Sequence, residues 1–356
     1  MKAWILHDID DIRYEDIDRP ELDDGDMLVK VKAVGICGSD IPRIYRDGAH
    51  NMPLIPGHEF AGEVVDVKDD SDVNWIGKRV GVFPLIPCNK CIPCLNKQYE
   101  MCKRYSYLGS RRDGAFAEYV AVPKWNLIEL PGNVSFEQAA MLEPMAVSVH
   151  AMRRCLDGEL IETIRREKKS VLVYGLGTIG LMLTMFLIDV GVENLLVVGN
   201  KESQRETAIK LGLDGADYCD SKQQDVNTWI NDKTVGNGVD FIFECVGRCE
   251  AVAQVIDLAA PLGRVMLIGN PYSDMTLEKK VYWKMLRNQL TVLGTWNSSF
   301  THDDNDDWHY VLERLQTGAI SPQMFITHKY ALKDLEYGLH IMRDKSEEYI
   351  KEMVVM

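Results

Sequence analysis

The chain has 356 residues, of which 46% are hydrophobic and 26% are charged, and its formal net charge at pH 7 is −14. A chain of this length can form two domains with sizeable cores. The excess of acidic residues argues against non-specific binding to nucleic acid or to an anionic membrane surface. The N-terminus turns acidic at once and the longest apolar runs are shorter than the ~18 residues of a membrane span, so we expect neither a signal peptide nor a membrane segment.

The cysteine content indicates the redox environment. Nine cysteines, an odd number, occur in this large acidic chain. We therefore expect a reducing, cytoplasmic location, in which the cysteines serve as metal ligands or core residues.

The first part of the chain predicts a β domain. Residues 1–35 alternate between apolar and polar side chains, and 27–31 is the clearest strand. Further alternating strands are predicted at 60–67 and 78–83. Many short strands separated by Gly and Pro turns are typical of a barrel-like β domain.

A thiol, an imidazole and a carboxylate lie between these strands, at Cys37, His58 and Glu59. These ligand types suit zinc, and a catalytic zinc site needs three protein ligands and one open position. Ser39 lies two residues after Cys37, where its hydroxyl could bond to a substrate oxygen. From this stretch alone, a buried cysteine and a surface turn with a His-Glu pair explain the pattern equally well.

Four further cysteines follow at a short spacing, C-x2-C-x2-C-x7-C. Thiols this close on one loop can all bind one tetrahedral zinc ion without a long closure penalty. Because cysteine fills every position and none is left open, we predict a structural zinc site in a lobe at about residues 86–103. A nucleic-acid-binding zinc ribbon has similar spacing, but the acidic charge argues against it. The predicted ligands are Cys88, Cys91, Cys94 and Cys102.

Two other features place charge in unusual positions. Arg111 and Arg112 precede a predicted strand in an acidic protein, which makes them candidates for an anion site; solvated surface arginines are the alternative.

In a predicted helix at 135–155, Glu143 precedes a proline in an apolar setting. A carboxylate there is costly unless a metal or a hydrogen bond compensates it, the alternative being an exposed acid at a helix end.

The pattern changes after a polar connection at 157–169. A β-branched strand at 170–174 leads into Gly175-Leu176-Gly177-Thr178-Ile179-Gly180 and an apolar helix at 181–190. Between a strand and a helix, G-x-G-x-x-G is a dinucleotide fingerprint, because its glycines let the backbone approach a pyrophosphate at the helix N-terminus.

Strands and helices continue to alternate up to residue 294, which predicts a parallel doubly wound sheet. We predict strands at 194–198, 240–244, 264–268 and 291–294, and helices at 203–211 and 251–258. Beyond them we predict helices at 308–315 and 332–344 and a last strand at 352–355 that returns to the β domain.

With these motifs in place, the sequence resembles the zinc-dependent medium-chain alcohol and polyol dehydrogenases over essentially its whole length. The ordered metal, structural-zinc and nucleotide motifs carry the resemblance, together with local runs at 37–44, 48–50, 57–60 and 109–114. The implied fold is a GroES-like β-barrel catalytic domain plus a doubly wound Rossmann domain. The implied boundaries are 1–150 for the catalytic domain, 151–294 for the Rossmann domain and 295–356 for a C-terminal segment that returns to the catalytic domain.

The resemblance also implies roles for individual residues. Cys37, His58 and Glu59 match the catalytic zinc ligands, and Glu143 matches a glutamate that reaches the metal directly or through water in polyol members. Ser39 would relay the proton toward solvent. The four lobe cysteines match the structural zinc. The implied cofactor contacts are Gly175, Gly177, Thr178, Ile179, Gly180, Gly199, Asn200, Lys201, Arg205, Cys245 and Gly269.

One departure from the family bears on the cofactor. Most NAD-using relatives carry an aspartate at the end of the second Rossmann strand, where it bonds the adenosine ribose. Here that strand ends in Gly199, Asn200 and Lys201, with Arg205 beyond. The missing acid and the two cations favour NADP(H), with NAD(H) as the alternative.

The implied reaction is reversible hydride transfer between a nicotinamide and a secondary hydroxyl of a polyol phosphate similar to galactitol 1-phosphate. Zinc would act as a Lewis acid on that hydroxyl. For the phosphate, Arg43 is the first candidate anchor and Arg111 or Arg112 the second, the alternative being that all three pair with nearby acids. Other possible substrates are an unphosphorylated polyol or another polyol phosphate such as ribitol 5-phosphate.

Two further expectations concern the class of protein and its assembly. A nucleotide-binding member of the fold without catalysis is the alternative from a different functional class. The resemblance also implies a homodimer or homotetramer in which Rossmann sheets join edge to edge near residues 291–294. Such an edge is otherwise prone to aggregation.

Overall fold

The computed structural model describes every residue from Met1 to Met356. The chain forms two compact units, one consisting of Met1–Ala146 with Ser298–Met356 and the other of Val147–Asn297. None of the helices combines the length and the apolar character that crossing a membrane requires.

The strands are, in chain order, β1 Lys2–Asp8, β2 Asp11–Asp16, β3 Asp26–Ile36, β4 Glu59–Val67, β5 Arg79–Val82, β6 Leu85–Ile86, β7 Ser106–Tyr107, β8 Tyr119–Pro123, β9 Leu127–Glu129, β10 Val171–Tyr174, β11 Leu195–Gly199, β12 Tyr218–Asp220, β13 Val239–Glu244, β14 Ala259–Leu267, β15 Thr291–Gly294, β16 Ile326–Tyr330 and β17 Lys351–Val355. The α-helices are α1 Asp40–Pro42, α2 Ile92–Leu95, α3 Phe136–Ala140, α4 Leu142–Cys155, α5 Gly158–Glu167, α6 Thr178–Asp189, α7 Glu202–Lys210, α8 Val226–Thr234, α9 Cys249–Leu258, α10 Lys279–Arg287, α11 Asp307–Thr317 and α12 Leu335–Asp344.

The first unit is organised by a seven-stranded sheet. Its strands follow the order β16-β17-β3-β4-β5-β9, and β8 also pairs with β3. The last strand of the chain, β17, runs antiparallel to β3 with Glu352 opposite Ile36 and Val355 opposite Ala33. The C-terminal strand thus lies in the same sheet as the strands of the N-terminal part of the chain. The core of this unit contains Phe60 and Phe116, packed among the aliphatic side chains of the sheet.

The second unit contains the predicted parallel sheet. Its six strands follow the order β12-β11-β10-β13-β14-β15, and all adjacent pairs are parallel. The order reverses between β10 and β13, and in open α/β sheets such a switch point forms a ligand crevice at the carboxyl ends of the strands. Val171, Leu172 and Val173 of β10 are fully buried, because helices cover both faces of a parallel sheet.

The structure refines two predictions of local structure. The segment 157–169 is not a bare connection, because it contains helix α5. Asp157 caps that helix by accepting a hydrogen bond from the Leu160 N–H at 2.9 Å, and Ile164 is its buried side chain. The region predicted to be helical, 135–155, forms two helices separated at Met141. The sequence prediction also misses β12, α8, α10 and β16.

Candidate active site and metal centres

The four lobe cysteines converge on one point. The Sγ atoms of Cys91 and Cys94 are 3.4 Å apart, those of Cys91 and Cys102 are 3.9 Å apart, and those of Cys88 and Cys94 are 4.0 Å apart. A tetrahedron with Zn–S bonds of about 2.3 Å has edges of about 3.8 Å, so the set fits a zinc ion. Four unrelated loop thiols would not converge in this way.

The protonation of these thiols also suits a cation. The backbone N–H of Lys90 lowers the pKa of Cys88 to about 6, whereas burial raises the pKa of Cys94 to about 12. A bound zinc ion keeps its thiol ligands deprotonated, and this holds for Cys94 as well as for Cys88 despite their different pKa values.

The second ligand cluster is assembled by the register of two strands. Cys37 directly follows β3, Glu59 is the first residue of β4, and Gly35 lies opposite Glu59 in this antiparallel pair. The ligand atoms of Cys37, His58 and Glu59 lie within 4.8 Å of one another. His58 is 3% exposed and Glu59 is 2% exposed, which excludes the alternative of a surface turn. One sulfur, one nitrogen and one oxygen donor fit a catalytic zinc ion with one open position.

Asp40 supports this cluster from one side. It is fully buried and its Oδ1 lies 3.4 Å from the Nδ1 of His58. Burial opposes the charged form of His58, but Asp40 and Cys37 outweigh it and raise the pKa of His58 well above its usual value. Arg43 forms an ion pair with the same Asp40 carboxylate.

Lys351 supports the cluster from β17. Its buried ammonium pairs with Glu59 and also donates a hydrogen bond to the Ile36 carbonyl at 2.9 Å. Burial lowers the pKa of Lys351 and the neighbouring Glu59 raises it, and the net direction is upward. Gly35 allows this approach, because a Cβ atom there would lie 2.4 Å from Glu59 Oε2 and 2.7 Å from Lys351 Cε.

Ser39 and Glu143 lie beside the cluster. The Ser39 hydroxyl donates a hydrogen bond to Cys37 Sγ at 3.3 Å. Glu143, which is 8% exposed, accepts a hydrogen bond from the Tyr107 hydroxyl at 3.2 Å. Burial, followed by the nearby Glu59 charge, raises the pKa of Glu143 to about 7. Glu143 is therefore a buried acid with a hydrogen-bond partner, and the alternative of an exposed acid at a helix end is excluded.

The three candidate phosphate anchors have different surroundings. Arg43 pairs with buried Asp40, and Arg112 pairs with buried Asp26. Arg111 instead lies over the Tyr105 ring, 4.6 Å from its centroid, and its buried Nε has no hydrogen-bond partner. Arg111 is the candidate whose guanidinium is not committed to a carboxylate.

The glycine motif lies where the parallel sheet reverses. Gly175 has a φ of 99°, and a Cβ atom there would lie 2.5 Å from Val246 Cγ2. A Cβ atom at Gly180 would lie 2.0 Å from the Gly175 carbonyl oxygen. These positions require glycine because the turn and α6 pack closely. Gly177 precedes α6, whose free N–H groups suit a pyrophosphate.

A cavity of about 480 Å³ opens beside this turn. The predicted cofactor residues that line it are Gly175, Gly177, Gly199, Asn200 and Cys245. The other predicted cofactor residues do not line it; they are Thr178, Ile179, Gly180, Lys201, Arg205 and Gly269. The first three of these begin α6, and the next two lie at the start of α7. The cavity and the helix N-terminus together fit a dinucleotide.

Two protein families match the chain, the alcohol dehydrogenase GroES-like domain at residues 23–132 and the zinc-binding dehydrogenase at 178–317. Galactitol 1-phosphate 5-dehydrogenase of Escherichia coli K12 is 30% identical over 335 residues, which is 92% of each chain. The chain belongs to the zinc-dependent medium-chain alcohol and polyol dehydrogenases.

A further relative and a solved structure agree with this assignment. L-idonate 5-dehydrogenase of Vitis vinifera is 30% identical over 345 residues, 94% of this chain and 89% of the other. The crystal structure of galactitol-1-phosphate dehydrogenase from Escherichia coli matches over the full length of both chains, with a TM-score of 0.89 at 27% identity. This member of the family is thus a zinc-dependent NAD(P)-linked dehydrogenase of alcohols or polyols, with a GroES-like domain and a Rossmann domain.

Sequence reasoning misses several residues of this dehydrogenase. Lys351 is 292 positions from Glu59, so no local pattern connects the two. Tyr107 lies in a two-residue strand that has no recognisable motif. Asp40, three residues after Cys37, could have been found, because a second acceptor close to a metal ligand is a common way to orient a histidine.

Proposed function

We propose that this dehydrogenase oxidises a secondary hydroxyl of a polyol phosphate, and catalyses the reverse reduction, with NADP(H) preferred over NAD(H). The observation that carries the reaction is the buried Cys37–His58–Glu59 cluster, and these residues would hold the catalytic zinc. The chemistry supplied by the bound groups is Lewis-acid activation of the hydroxyl by zinc and hydride acceptance by the nicotinamide.

The protein's own side chains supply positioning and proton transfer. Ser39, whose hydroxyl lies 3.3 Å from Cys37 Sγ, accepts the proton of the substrate hydroxyl and passes it toward solvent. Asp40 fixes the ring of His58, and Lys351 fixes the carboxylate of Glu59. Such surrounding contacts keep metal ligands in place and tune their basicity.

Arg111 is the best supported phosphate anchor. It is linked to the metal cluster through a series of rings, because Tyr105 lies 6.3 Å from Tyr107 and Tyr107 lies 5.7 Å from His58 between ring centroids. An uncommitted guanidinium can grip a phosphate with two parallel charge-assisted hydrogen bonds. Arg43, the first candidate from sequence, is less favoured because its loss would leave Asp40 buried without its cation.

Kinetics with paired substrates test the phosphate proposal. Arg111→Ala should lower kcat/KM for a phosphorylated polyol such as galactitol 1-phosphate by about tenfold or more, the scale of a lost charged hydrogen bond. The slower reaction with galactitol should barely change. Arg104→Ala, which removes an exposed arginine directly after the lobe, is the matched control. An equal loss on both substrates, or a wild-type preference for the unphosphorylated polyol, contradicts the proposal.

The preference for NADP(H) is supported by the end of β11. Asn200 lines the cavity where an aspartate would repel a 2′-phosphate, and its backbone N–H donates to Gln204 Oε1 at 2.9 Å. Arg205 forms an exposed pair with Glu202 at 3.1 Å. Exposed pairs of this kind contribute little, so the guanidinium can turn to a phosphate.

Substitution of Asn200 tests this preference. Asn200→Asp should shift the ratio of kcat/KM values toward NAD(H), and Asn200→Ser is the uncharged control. Gly199→Asp is unsuitable, because a Cβ atom at Gly199 would lie 2.7 Å from Tyr218 Oη. A wild-type enzyme with higher kcat/KM for NAD(H) contradicts the proposal.

We also propose a homodimer that forms through the edge of the parallel sheet. The edge strand is β15, where Val292 is exposed, and Tyr282, Trp283 and Leu286 of α10 are exposed in the same unit. Open edges with exposed apolar side chains are normally covered. Light scattering should give a dimer mass, and Val292→Pro should lower it. A monomer mass for the wild type at working concentration refutes the proposal.

A further inference from the structure

Glu143 stands apart from the three converging metal ligands. The ligand atoms of Cys37, His58 and Glu59 lie within 4.8 Å of one another, and Glu143 does not belong to that set. Its Oε1 instead accepts the hydrogen bond from Tyr107 Oη at 3.2 Å. The two buried carboxylates of the site thus have separate partners, because Lys351 pairs with Glu59.

Both the backbone and the ring of Tyr107 are held in place. Its strand β7 pairs with β6, with Leu85 opposite Tyr107. The Tyr107 carbonyl accepts hydrogen bonds from the N–H groups of Ser110, Arg111 and Arg112 at 3.3, 2.9 and 3.1 Å. Its ring meets His58 edge-on, at 5.7 Å between centroids. A side chain anchored in this way presents its hydroxyl at one place.

We propose that Tyr107 is a positioning residue that holds Glu143 off the metal bound by Cys37, His58 and Glu59. A zinc ion with three protein ligands has one further position, and a second carboxylate would occupy it. The Tyr107 hydroxyl donates a hydrogen bond to Glu143. Because the carboxylate would lose this bond on moving to the metal, binding the metal lowers its free energy less than it would without Tyr107. The open position then remains free for the substrate hydroxyl, a last step that rests on the proposed function.

Removal of that hydroxyl should change the metal site. In Tyr107→Phe the buried Glu143 carboxylate loses its donor, and the nearby cation becomes its best partner. With cobalt(II) in the catalytic site, we expect the visible absorption spectrum of the substrate-free Tyr107→Phe protein to differ from that of the wild type. We expect release of the catalytic metal to a chelator to slow by about tenfold, the lower end for changes around metal ligands. KM for the polyol should rise more than kcat falls.

Two variants separate this role from a merely structural one. Glu143→Gln alone should keep the wild-type cobalt spectrum, because Glu143 is not a ligand there. The double variant Tyr107→Phe/Glu143→Gln should also return to that spectrum, because the carboxylate that moves is gone. Tyr105→Phe, which removes a hydroxyl from the neighbouring ring and keeps the ring beneath Arg111, is the matched control and should leave the cobalt spectrum and the metal release unchanged.

The spectroscopic prediction and the proposed function can fail separately. An unchanged cobalt spectrum and unchanged metal release in Tyr107→Phe overturn the inference, and so does a changed spectrum in Glu143→Gln. If the spectrum shifts as expected but no polyol or polyol phosphate is turned over, the positioning role of Tyr107 stands and the proposed function fails.

Discussion

The two metal centres of the first unit are built in opposite ways. The lobe site takes all its ligands from one loop, between Cys88 and Cys102. The catalytic site takes Cys37 from the end of β3 and His58 and Glu59 from the start of β4, and Lys351 on β17 completes its charge balance. The first site needs only a closed loop, whereas the second exists only when three strands have paired in register.

This difference explains what each site can do. A closed set of four thiolates leaves the metal no free position, so it can contribute stability and no chemistry. The catalytic cluster holds a mixed ligand set among buried charges, an arrangement that costs stability and serves function. Four variants, described from the largest expected effect to the smallest, test this contrast.

Cys37→Ser should abolish the reaction and preserve the fold. Loss of the catalytic metal removes several kcal/mol of transition-state stabilisation, so turnover should fall by about 10³-fold or more. Zinc content should drop from about two ions per chain to about one, with little change in Tm. Unfolding of this variant would mean that the cluster is the structural centre. Cys249→Ser is the matched control for the exchange of sulfur for oxygen.

Cys94→Ser should show the opposite pattern. Structural zinc sites contribute much of the folding free energy of the segments that they close. We expect Tm to fall by roughly 10 °C or more, at about 2–4 °C per kcal/mol for a protein of this size, as measured by calorimetry. Turnover per folded molecule at low temperature should persist. An unchanged Tm would reverse the assignment of the lobe as structural.

Lys351→Met should destabilise the metal-free protein. The substitution leaves Glu59 as a buried carboxylate without its cation, which costs about 3 kcal/mol or more. Bound zinc should recover part of this loss, because the metal is itself a cation partner for Glu59. Thermal unfolding with and without zinc measures the difference. Lys329→Met, which breaks the exposed pair with Glu137, is the control and should have little effect in either state.

Glu352→Gln should alter how stability depends on pH. Glu352 is fully buried, and burial raises its pKa to about 7 from 4.5. The raised pKa means that the stabilising neutral form is fully present below pH 4.5 and is lost as pH rises through about 7.

The Tm of Glu352→Gln relative to wild type should therefore increase by a few degrees between pH 5 and pH 8, at roughly 2–4 °C per kcal/mol. Glu313→Gln, which changes an exposed glutamate of α11, should show no such trend. A difference that stays constant with pH would mean that Glu352 does not titrate in this range.

Sequence patterns predict the sites whose residues lie close together along the chain. The lobe cysteines follow from their spacing, and the structure brings them together; the glycine turn follows from its place between a strand and a helix, which are β10 and α6. The ligands Cys37, His58 and Glu59 could be named from residue type and family resemblance. Their convergence depends on the register that places Gly35 opposite Glu59, and no local spacing encodes a register.

What the sequence cannot predict is the set of long-range partners. Lys351 for Glu59 and Tyr107 for Glu143 are pairings across strands that only the folded sheet brings together. The same limit applies to the arginines, since Arg43 and Arg112 have buried acidic partners and Arg111 does not. Charge patterns indicate that such groups need partners, and tertiary structure decides which partners they receive.

Graded removal of zinc from the wild-type protein tests the central contrast most directly. With increasing chelator, zinc content, turnover and Tm are measured on the same samples. We predict that one zinc ion per chain leaves first, with complete loss of turnover and nearly unchanged Tm, and that the second leaves together with a large fall in Tm. A single step in which turnover and Tm fall together, or a protein that binds only one zinc ion, would contradict the assignment of separate catalytic and structural centres.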